Sequence, residues 1–363
     1  MEKIWIHHYK LPSFPDFPRK HEGAGVLIAL EDDKHCFGYA DLHPWPSMGD
    51  LKVDEQLSLL QQGQPTAQMQ CTLQAARRDL EARALQKPGV RFLPNIHNHH
   101  LILKSFSEPH DGERLLHQLG LNLLTLESPE VLLKIKLAPE TLSSTALMIN
   151  DLAVKYPQIC WRVDANSLLS FDEVLGFWKQ LNSEGKGKIN FIEDPCPYNK
   201  KHWEALESEG VSLAMDFEVA NWIREANSAS QRSLFSPPSF NGSPTSSEKI
   251  VFVFKPAKQN MLEWGSWLSK NPHRFLITSY LDHPVGLLHA QWTAEILSEQ
   301  FPRQILPCGL NLAFSSSALS ELWSGLEQNK QKGNSWMGLI SSGIGYNQHL
   351  EALQWQRLTL TVN

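Results

Sequence analysis

Short apolar runs recur along the chain from about residue 95 onward, and polar or amphipathic segments of helical length separate them. An alternation of this kind is typical of βα units, in which consecutive strands lie parallel in one sheet. Eight such units predict an α/β fold with a closed (β/α)8-type barrel. The predicted strands are residues 131–137, 159–164, 189–193, 211–216, 250–255, 275–279 and 305–306, after a first strand within 94–103.

The chain before residue 95 has a different pattern and predicts a separate α+β domain. Residues 25–30 and 36–40 are predicted strands on either side of an acidic turn, and residues 66–85 have helical periodicity. Residues 354–362 alternate between polar and apolar side chains, which predicts a strand that returns to this domain. The expected domains are an α+β domain of residues 1–94, completed by about 335–363, and a barrel of residues 95–334.

One segment interrupts the barrel pattern where the helix after the fifth strand is expected. Residues 227–247 contain eight serines and three prolines and few apolar side chains. A segment of this composition cannot bury enough apolar surface to form a packed helix. We interpret it as an insertion carried by a shortened or displaced helix.

Five successive predicted strands end in charged residues, although the apolar interior of a barrel does not require charge there. In the second barrel strand, the period of two places Lys134 and Lys136 on one face. The carboxyl ends of barrel strands converge on one rim, which is the face that holds active sites in such barrels. We therefore expect these side chains to form one site. In strand order they are Lys134 and Lys136, Asp164 with Asn166 two residues later, Glu193, Asp216 and Lys255.

The charges of these residues predict a specific chemistry. Three carboxylates that lie close together repel each other unless a cation lies between them, and hard oxygen ligands favour Mg²⁺. The lysines flank the carboxylates in strand order, so they are expected to face each other across the barrel mouth. A lysine close to other cations loses part of its preference for the charged form and can act as a base near neutral pH. The alternative is a solvated rim of salt bridges without a metal ion.

Composition and charge exclude several other classes of protein. The net charge of −6 leaves no excess of positive charge to bind a nucleic acid backbone. The longest uncharged apolar stretches, such as residues 23–30, are shorter than the roughly 18 residues that span a bilayer, and the first residues do not resemble an export signal. Five widely spaced cysteines without a CxxC pair indicate reduced thiols. We therefore expect a cytoplasmic enzyme that acts on a small molecule and binds neither nucleic acid nor membrane, with its oligomeric state left open.

The complete pattern of charged strand ends resembles the enolase superfamily, and more narrowly its muconate lactonizing enzyme subgroup. The resemblance extends over nearly the whole chain, since residues 1–94 resemble the capping domain of these proteins. Within the subgroup the chain resembles the o-succinylbenzoate synthase family, on the basis of residues 38–46, 191–196 and 278–286. The motifs that carry the superfamily resemblance are Lys134 with Lys136, Asp164-Ala165-Asn166, Glu193-Asp194-Pro195, Asp216 and Lys255-Pro256.

The resemblance implies a role for each member of the predicted site. It implies that Lys136 is the catalytic base, that Lys134 is its electrostatic partner and that Lys255 is the opposite lysine. The implied cofactor is Mg²⁺, with Mn²⁺ as an alternative ion. The implied substrate is a small carboxylate, which the backbone N–H of Gly309 contacts. The implied metal ligands are Asp164, Glu193 and Asp216, and the implied substrate-binding residues are Ser279, Gly309 and Asn166.

The reaction implied by the resemblance is the dehydration of 2-succinyl-6-hydroxy-2,4-cyclohexadiene-1-carboxylate to o-succinylbenzoate in menaquinone biosynthesis. It begins with abstraction of an α-proton and passes through an enediolate. Racemisation of N-succinylamino acids, in which both lysines exchange protons, and cycloisomerisation are alternatives for the same site. A dipeptide epimerase is disfavoured because residues 309–313 lack an acidic DxD motif. A non-catalytic scaffold is disfavoured because every polar member of the site is present.

Two further groups of polar residues suggest sites of their own. His97, His99 and His100 form a cluster, but they lack the helical spacing of a histidine metal site, so polar strand or loop positions are favoured. Asp282 and His283 suggest an acid–base dyad of the mandelate racemase type. That dyad pairs its histidine with an aspartate on the sixth strand, where this chain has a lysine.

Overall fold

The computed structural model describes residues 2–11, 23–91, 93, 96–102, 116, 130–217, 219, 250–271, 273–310 and 342–361, so the predicted insertion at 227–247 lies outside the described residues. The strands are β1 (Lys3–Lys10), β2 (Ala24–Glu31), β3 (Phe37–Leu42), β4 (His100–Ile102), β5 (Val131–Lys136), β6 (Ile159–Asp164), β7 (Ile189–Glu193), β8 (Leu213–Met215), β9 (Val251–Phe254), β10 (Phe275–Ile277) and β11 (Gln356–Leu358). The helices are α1 (Val53–Gln61), α2 (Ala67–Ala84), α3 (Leu142–Lys155), α4 (Phe171–Gln180), α5 (Ser183–Gly187), α6 (Lys200–Ser208), α7 (Met261–Leu268), α8 (Pro284–Gln300) and α9 (Asn347–Glu351). Within these described ranges, no helix has the length and apolar character needed to cross a membrane.

The first three strands and the last one form an antiparallel sheet in the order β11-β1-β2-β3. One apolar face of this sheet packs against α1 and α2, and the shared core includes Ile28, Leu57 and Leu73. Strand β11 pairs with β1, where Ile4 lies opposite Leu358. The end of the chain therefore returns to the N-terminal sheet, as its alternating pattern predicts. We call this α+β unit the cap.

The other strands form a parallel sheet in the order β10-β9-β8-β7-β6-β5-β4. Helices α3 to α8 follow individual strands of this sheet along the chain, as βα units require. Phe191, Val253 and Leu276 belong to an apolar cluster contributed by the strands themselves. The structure confirms the predicted α/β barrel with an α+β cap.

The eighth predicted strand, at residues 305–306, is replaced by a short closing segment at residues 305–309. This segment connects β10 to β4 by isolated bridges rather than by a regular ladder. Pro307 lies within it and has no N–H to donate, so a continuous ladder cannot form. The parallel bridges join Phe275 to Ile305, Thr278 to Gly309 and Asn98 to Cys308.

A buried polar cluster fastens the cap to the barrel. The Asp41 carboxylate accepts hydrogen bonds from the Tyr9 hydroxyl at 2.6 Å and from the His283 N–H at 2.9 Å. Burial raises the pKa of Asp41 well above its ordinary value, and the charge of Asp282 adds to this effect. A Cβ at Gly286 would lie 2.4 Å from Asp282 Oδ2 and 2.9 Å from Asp41 Oδ2. Glycine at the start of α8 therefore leaves room for both carboxyl groups.

Candidate active site

The register of the parallel strands brings the predicted charged residues to one rim of the barrel. Lys136 pairs with Asp164, and Asp164 pairs with Glu193, each at the carboxyl end of its strand. Glu193 pairs with Ala214, so Asp216 lies two residues further along and on the same face as Ala214. The strand ends therefore converge as expected from the sequence.

Two lysines of β5 hold the first two carboxylates. Lys134 Nζ lies 2.7 Å from Glu193 Oε2 and 2.8 Å from Asp164 Oδ2. Lys136 Nζ donates to Asp164 Oδ2 at 2.6 Å and to Asn166 Oδ1 at 2.9 Å. Asn166 thus contacts the predicted base directly. These contacts fix the position of both ammonium groups.

Lys255 lies across the barrel from the β5 lysines. Strands β6, β7 and β8 separate it from β5 on one side, and β10, the closing segment and β4 separate it on the other. Its Nζ forms an ion pair with Asp216. The lysines therefore face each other across the carboxylates, which is the arrangement predicted from their strand order.

A cavity of about 60 Å³ opens at this rim. Every predicted site residue except Asp216 lines it. Trp45 and Met48 of the cap also line the cavity, so the site is composite. The barrel residues in the wall that had no predicted role in the site are His99, Thr278, Tyr280 and Leu281.

Solved structures share this architecture. An o-succinylbenzoate synthase from Thermosynechococcus elongatus, with Mg in its active site, is 21% identical at a TM-score of 0.54 and covers 89% of this chain and 99% of its own. A mandelate racemase/muconate lactonizing enzyme from Roseiflexus sp. is 14% identical at a TM-score of 0.60, with 85% of this chain and 87% of its own covered. At these identities the likeness establishes the fold alone.

Comparisons of sequence indicate which proteins of this fold the chain resembles. Residues 4–82 match the family model described as "O-succinylbenzoate synthase, N-terminal domain". An o-succinylbenzoate synthase from Bdellovibrio bacteriovorus is 29% identical over 335 residues, which is 92% of this chain and 91% of that protein. The chain therefore resembles the enolase superfamily in fold and o-succinylbenzoate synthases in sequence. It is accordingly an enzyme, and its similarity to o-succinylbenzoate synthases extends over both cap and barrel.

The three carboxylates of the site fit a divalent cation by their chemistry. Asp164, Glu193 and Asp216 are buried oxygen donors from three adjacent strands, which is the ligand type that Mg²⁺ requires. In the part of the chain that the structure describes, no group of three or more His, Cys, Asp or Glu side chains is arranged as a metal site. The ammonium groups of the lysines lie beside these carboxylates instead. The three residues remain the predicted ligands.

The three lysines of the site differ in their pKa values. Burial holds the pKa of Lys136 below its ordinary value, and the charge of Lys134 contributes, although Asp164 opposes both. Burial also acts on Lys134, but the charges of Asp164 and Glu193 outweigh it and raise the pKa of that lysine. The pKa of Lys255 is likewise raised, because Asp216 and Glu193 outweigh the effect of burial. Lys136 is the lysine that most readily loses its proton.

Asp194 is a site residue for which the sequence analysis proposed no role. Its carboxylate accepts hydrogen bonds from the N–H of Asp216 at 3.0 Å and of Phe217 at 3.1 Å. It therefore ties the end of β8 to the end of β7 and fixes the backbone that carries a predicted ligand. The available signal was its place in the Glu193-Asp194-Pro195 motif.

The contact of Gly309 with a substrate carboxylate stays a prediction. The N–H of Gly309 already donates to the carbonyl of Ile277 at 2.8 Å, as part of barrel closure. Gly309 does line the cavity, and a Cβ there would lie 2.8 Å from both His99 Cε1 and Thr278 Cγ2. Its role is to leave room in the wall. Ser279 also lines the cavity, and its N–H donates to the Gly309 carbonyl at 3.2 Å.

His99 and His283, which lie outside the predicted site, form hydrogen bonds within the protein. His99 Nδ1 lies 2.8 Å from Arg162 Nη1, and burial, with the charge of Arg162, holds the pKa of His99 well below its usual range. His283 Nδ1 accepts from the Val285 N–H at the start of α8. Neither Asp282 nor His283 is among the residues that line the cavity, so the acid–base dyad has no support here.

Proposed function

We propose that this enzyme catalyses the Mg²⁺-dependent dehydration of 2-succinyl-6-hydroxy-2,4-cyclohexadiene-1-carboxylate to o-succinylbenzoate, a step of menaquinone biosynthesis. The observation that carries the proposal is that Lys136 and Lys255 lie on opposite sides of one carboxylate-lined cavity, with the pKa of Lys136 lowered by burial and the pKa of Lys255 raised by the charges of Asp216 and Glu193. The near full-length similarity to an o-succinylbenzoate synthase supports the choice of substrate.

The reaction requires one group that first accepts and then returns a proton. In its neutral form, Lys136 Nζ takes the proton from the ring carbon that carries the carboxylate. The C–O bond to the neighbouring hydroxyl then breaks, and Lys136 returns the proton to the departing oxygen. Water and the aromatic product are released, and the lysine is regenerated. One group on one face of the ring is sufficient for both transfers.

Negative charge develops on the substrate carboxylate when the proton leaves, and the site must stabilise it. Lys134 and Lys255 supply fixed positive charge, since each is paired with a carboxylate that favours its protonated form. Asp164, Glu193 and Asp216 would hold Mg²⁺, and the ion would supply further positive charge to stabilise the enediolate. Burial strengthens these interactions because little water screens them.

Racemisation of N-succinylamino acids is the second candidate function. The specific observation that favours it is the presence of a lysine on each side of the cavity, since a racemase needs an acid or base on both faces of its substrate. In this structure the charges of Asp216 and Glu193 outweigh burial and raise the pKa of the second lysine, Lys255, which favours a fixed cation over a group that exchanges its proton.

The direct test is product formation by the purified protein. With Mg²⁺ and the cyclohexadiene substrate, we expect o-succinylbenzoate to accumulate at a rate proportional to enzyme concentration, as followed by chromatography. The uncatalysed reaction in the same buffer is the reference. A rate no greater than this reference would contradict the proposed function.

A further inference from the structure

The Asp50 carboxylate joins the cap to two loops of the barrel. Its Oδ2 accepts hydrogen bonds from the Trp45 N–H at 2.9 Å and from the Tyr280 hydroxyl at 2.8 Å. Its Oδ1 forms an ion pair with Lys258 Nζ at 2.9 Å. The Asp50 side chain is only 8% exposed, so water competes weakly for these contacts. A single side chain thus connects the cap with the loops that follow β9 and β10.

Two residues held by Asp50 are themselves part of the cavity wall. Trp45 and Tyr280 both line the cavity and are almost fully buried. The indole Nε1 of Trp45 donates to the Tyr280 carbonyl at 3.0 Å, and the two rings lie 6.1 Å apart. Any shift of Asp50 would therefore move two parts of the cavity wall, Trp45 from the cap and Tyr280 from the barrel.

The contacts of Asp50 also connect to Lys255, through Tyr280 and Lys258. Two ammonium groups lie close to the Tyr280 ring, with Lys255 Nζ 5.4 Å and Lys258 Nζ 5.1 Å from its centre. These are distances at which a cation is attracted to the face of an aromatic ring. Lys258 also donates to the Tyr280 hydroxyl at 3.3 Å, and its own N–H donates to the Lys255 carbonyl at 2.8 Å. The position of the ring is thus coupled to the lysine that faces Lys136.

We propose that Asp50, Lys258 and Tyr280 form a clamp that holds the cap wall of the active site in its substrate-binding position. Asp50 and Lys258 do not line the cavity and are positioning residues, whereas Tyr280 is itself part of the wall that they hold. The proposal rests on the proposed function for its choice of substrate. Without the clamp, substrate binding has to order the cap wall, which weakens binding, while the groups that transfer the proton remain in place.

The test compares the variants Lys258→Met and Asp50→Asn and their double variant with the wild type. Each single variant is expected to raise KM by roughly 10- to 100-fold, the range for loss of a hydrogen bond to a charged group. We expect kcat to change much less. The KM of the double variant should be no higher than that of the poorer single variant, because both substitutions remove the same ion pair between Asp50 and Lys258. Lys258→Arg keeps the charge and should restore a KM close to that of the wild type.

A matched control comes from a lysine in an exposed ion pair that does not line the cavity. Lys200 on α6 lies 3.7 Å from Glu204, and both side chains are about half exposed. Lys200→Met removes the same functional group as Lys258→Met and should leave KM unchanged. If Asp50→Asn does not fold, Lys258→Met carries the test alone, since Lys258 is 31% exposed.

A second measurement does not depend on catalysis. Hydrogen exchange of the substrate-free protein should become faster in residues 45–50 and 278–283 of Lys258→Met, but not of Lys200→Met. This result would support the clamp even if the dehydration assay failed. Unchanged exchange in both segments would overturn the proposal, and so would a fall in kcat at constant KM.

Discussion

Replacing Lys136 by alanine is expected to lower kcat by at least roughly 10²–10⁴-fold, the contribution of one positioned acid–base group. Lys136 Nζ is held by Asp164 and Asn166 and lines the cavity, so it is placed to meet a bound substrate. We expect it to perform both proton transfers of the dehydration. A water molecule in the cavity of the variant would not be held in the position and orientation that these transfers need. Steady-state kinetics with the cyclohexadiene substrate provide the measurement.

A matched control separates loss of chemistry from loss of structure. Lys155 on α3 pairs with Asp151 one helical turn away, and both side chains are 45% exposed. Lys155→Ala should keep the wild-type rate. Binding of the product o-succinylbenzoate to Lys136→Ala, followed by calorimetry, should confirm that the cavity is intact. A near-normal rate for Lys136→Ala would show that another residue is the base.

Removal of divalent cations by a chelator is expected to abolish turnover, and added Mg²⁺ should restore it. The negative charge that develops in the reaction would lose its strongest stabilising partner without the ion. Asp216→Asn should weaken metal binding by at least roughly tenfold, since the variant replaces a charged ligand by a neutral amide. Binding of Mn²⁺ as a spectroscopic probe measures this affinity without an activity assay.

The control for the metal prediction is again a surface carboxylate. Asp151→Asn removes one negative charge on α3 and should not change Mn²⁺ affinity. Full turnover by metal-free protein would contradict the proposed mechanism. Unchanged Mn²⁺ affinity in Asp216→Asn would show that this carboxylate is not a ligand.

The rim of charged residues could be predicted from the sequence because two local rules determine it. Side chains alternate along a strand, which places Lys134 and Lys136 on one face, and parallel strands end at one rim. The observed register of Lys136, Asp164 and Glu193 follows from these rules. The strand that returns to the cap was likewise visible as an alternating pattern.

Other features depend on contacts that no local pattern reveals. Asp50 and Tyr280 are 230 positions apart in the chain, so the clamp exists only after the cap has docked on the barrel. The hydrogen bond from the Gly309 N–H to Ile277 depends on barrel closure by a segment that Pro307 keeps from forming a regular strand. The role of Asp194 depends on the neighbouring strand end that its carboxylate holds.

One experiment in D₂O distinguishes dehydration from racemisation. The wild-type enzyme is incubated in D₂O with Mg²⁺ and either the cyclohexadiene substrate or a single enantiomer of N-succinylphenylalanine. A synthase working on one face needs Lys255 only as a positive charge, whereas a racemase requires it to deliver a proton. We therefore predict rapid formation of o-succinylbenzoate and little deuterium incorporation with inversion in the amino acid. Rapid racemisation with deuterium uptake, together with poor dehydration, would show that the enzyme is a racemase and not a synthase.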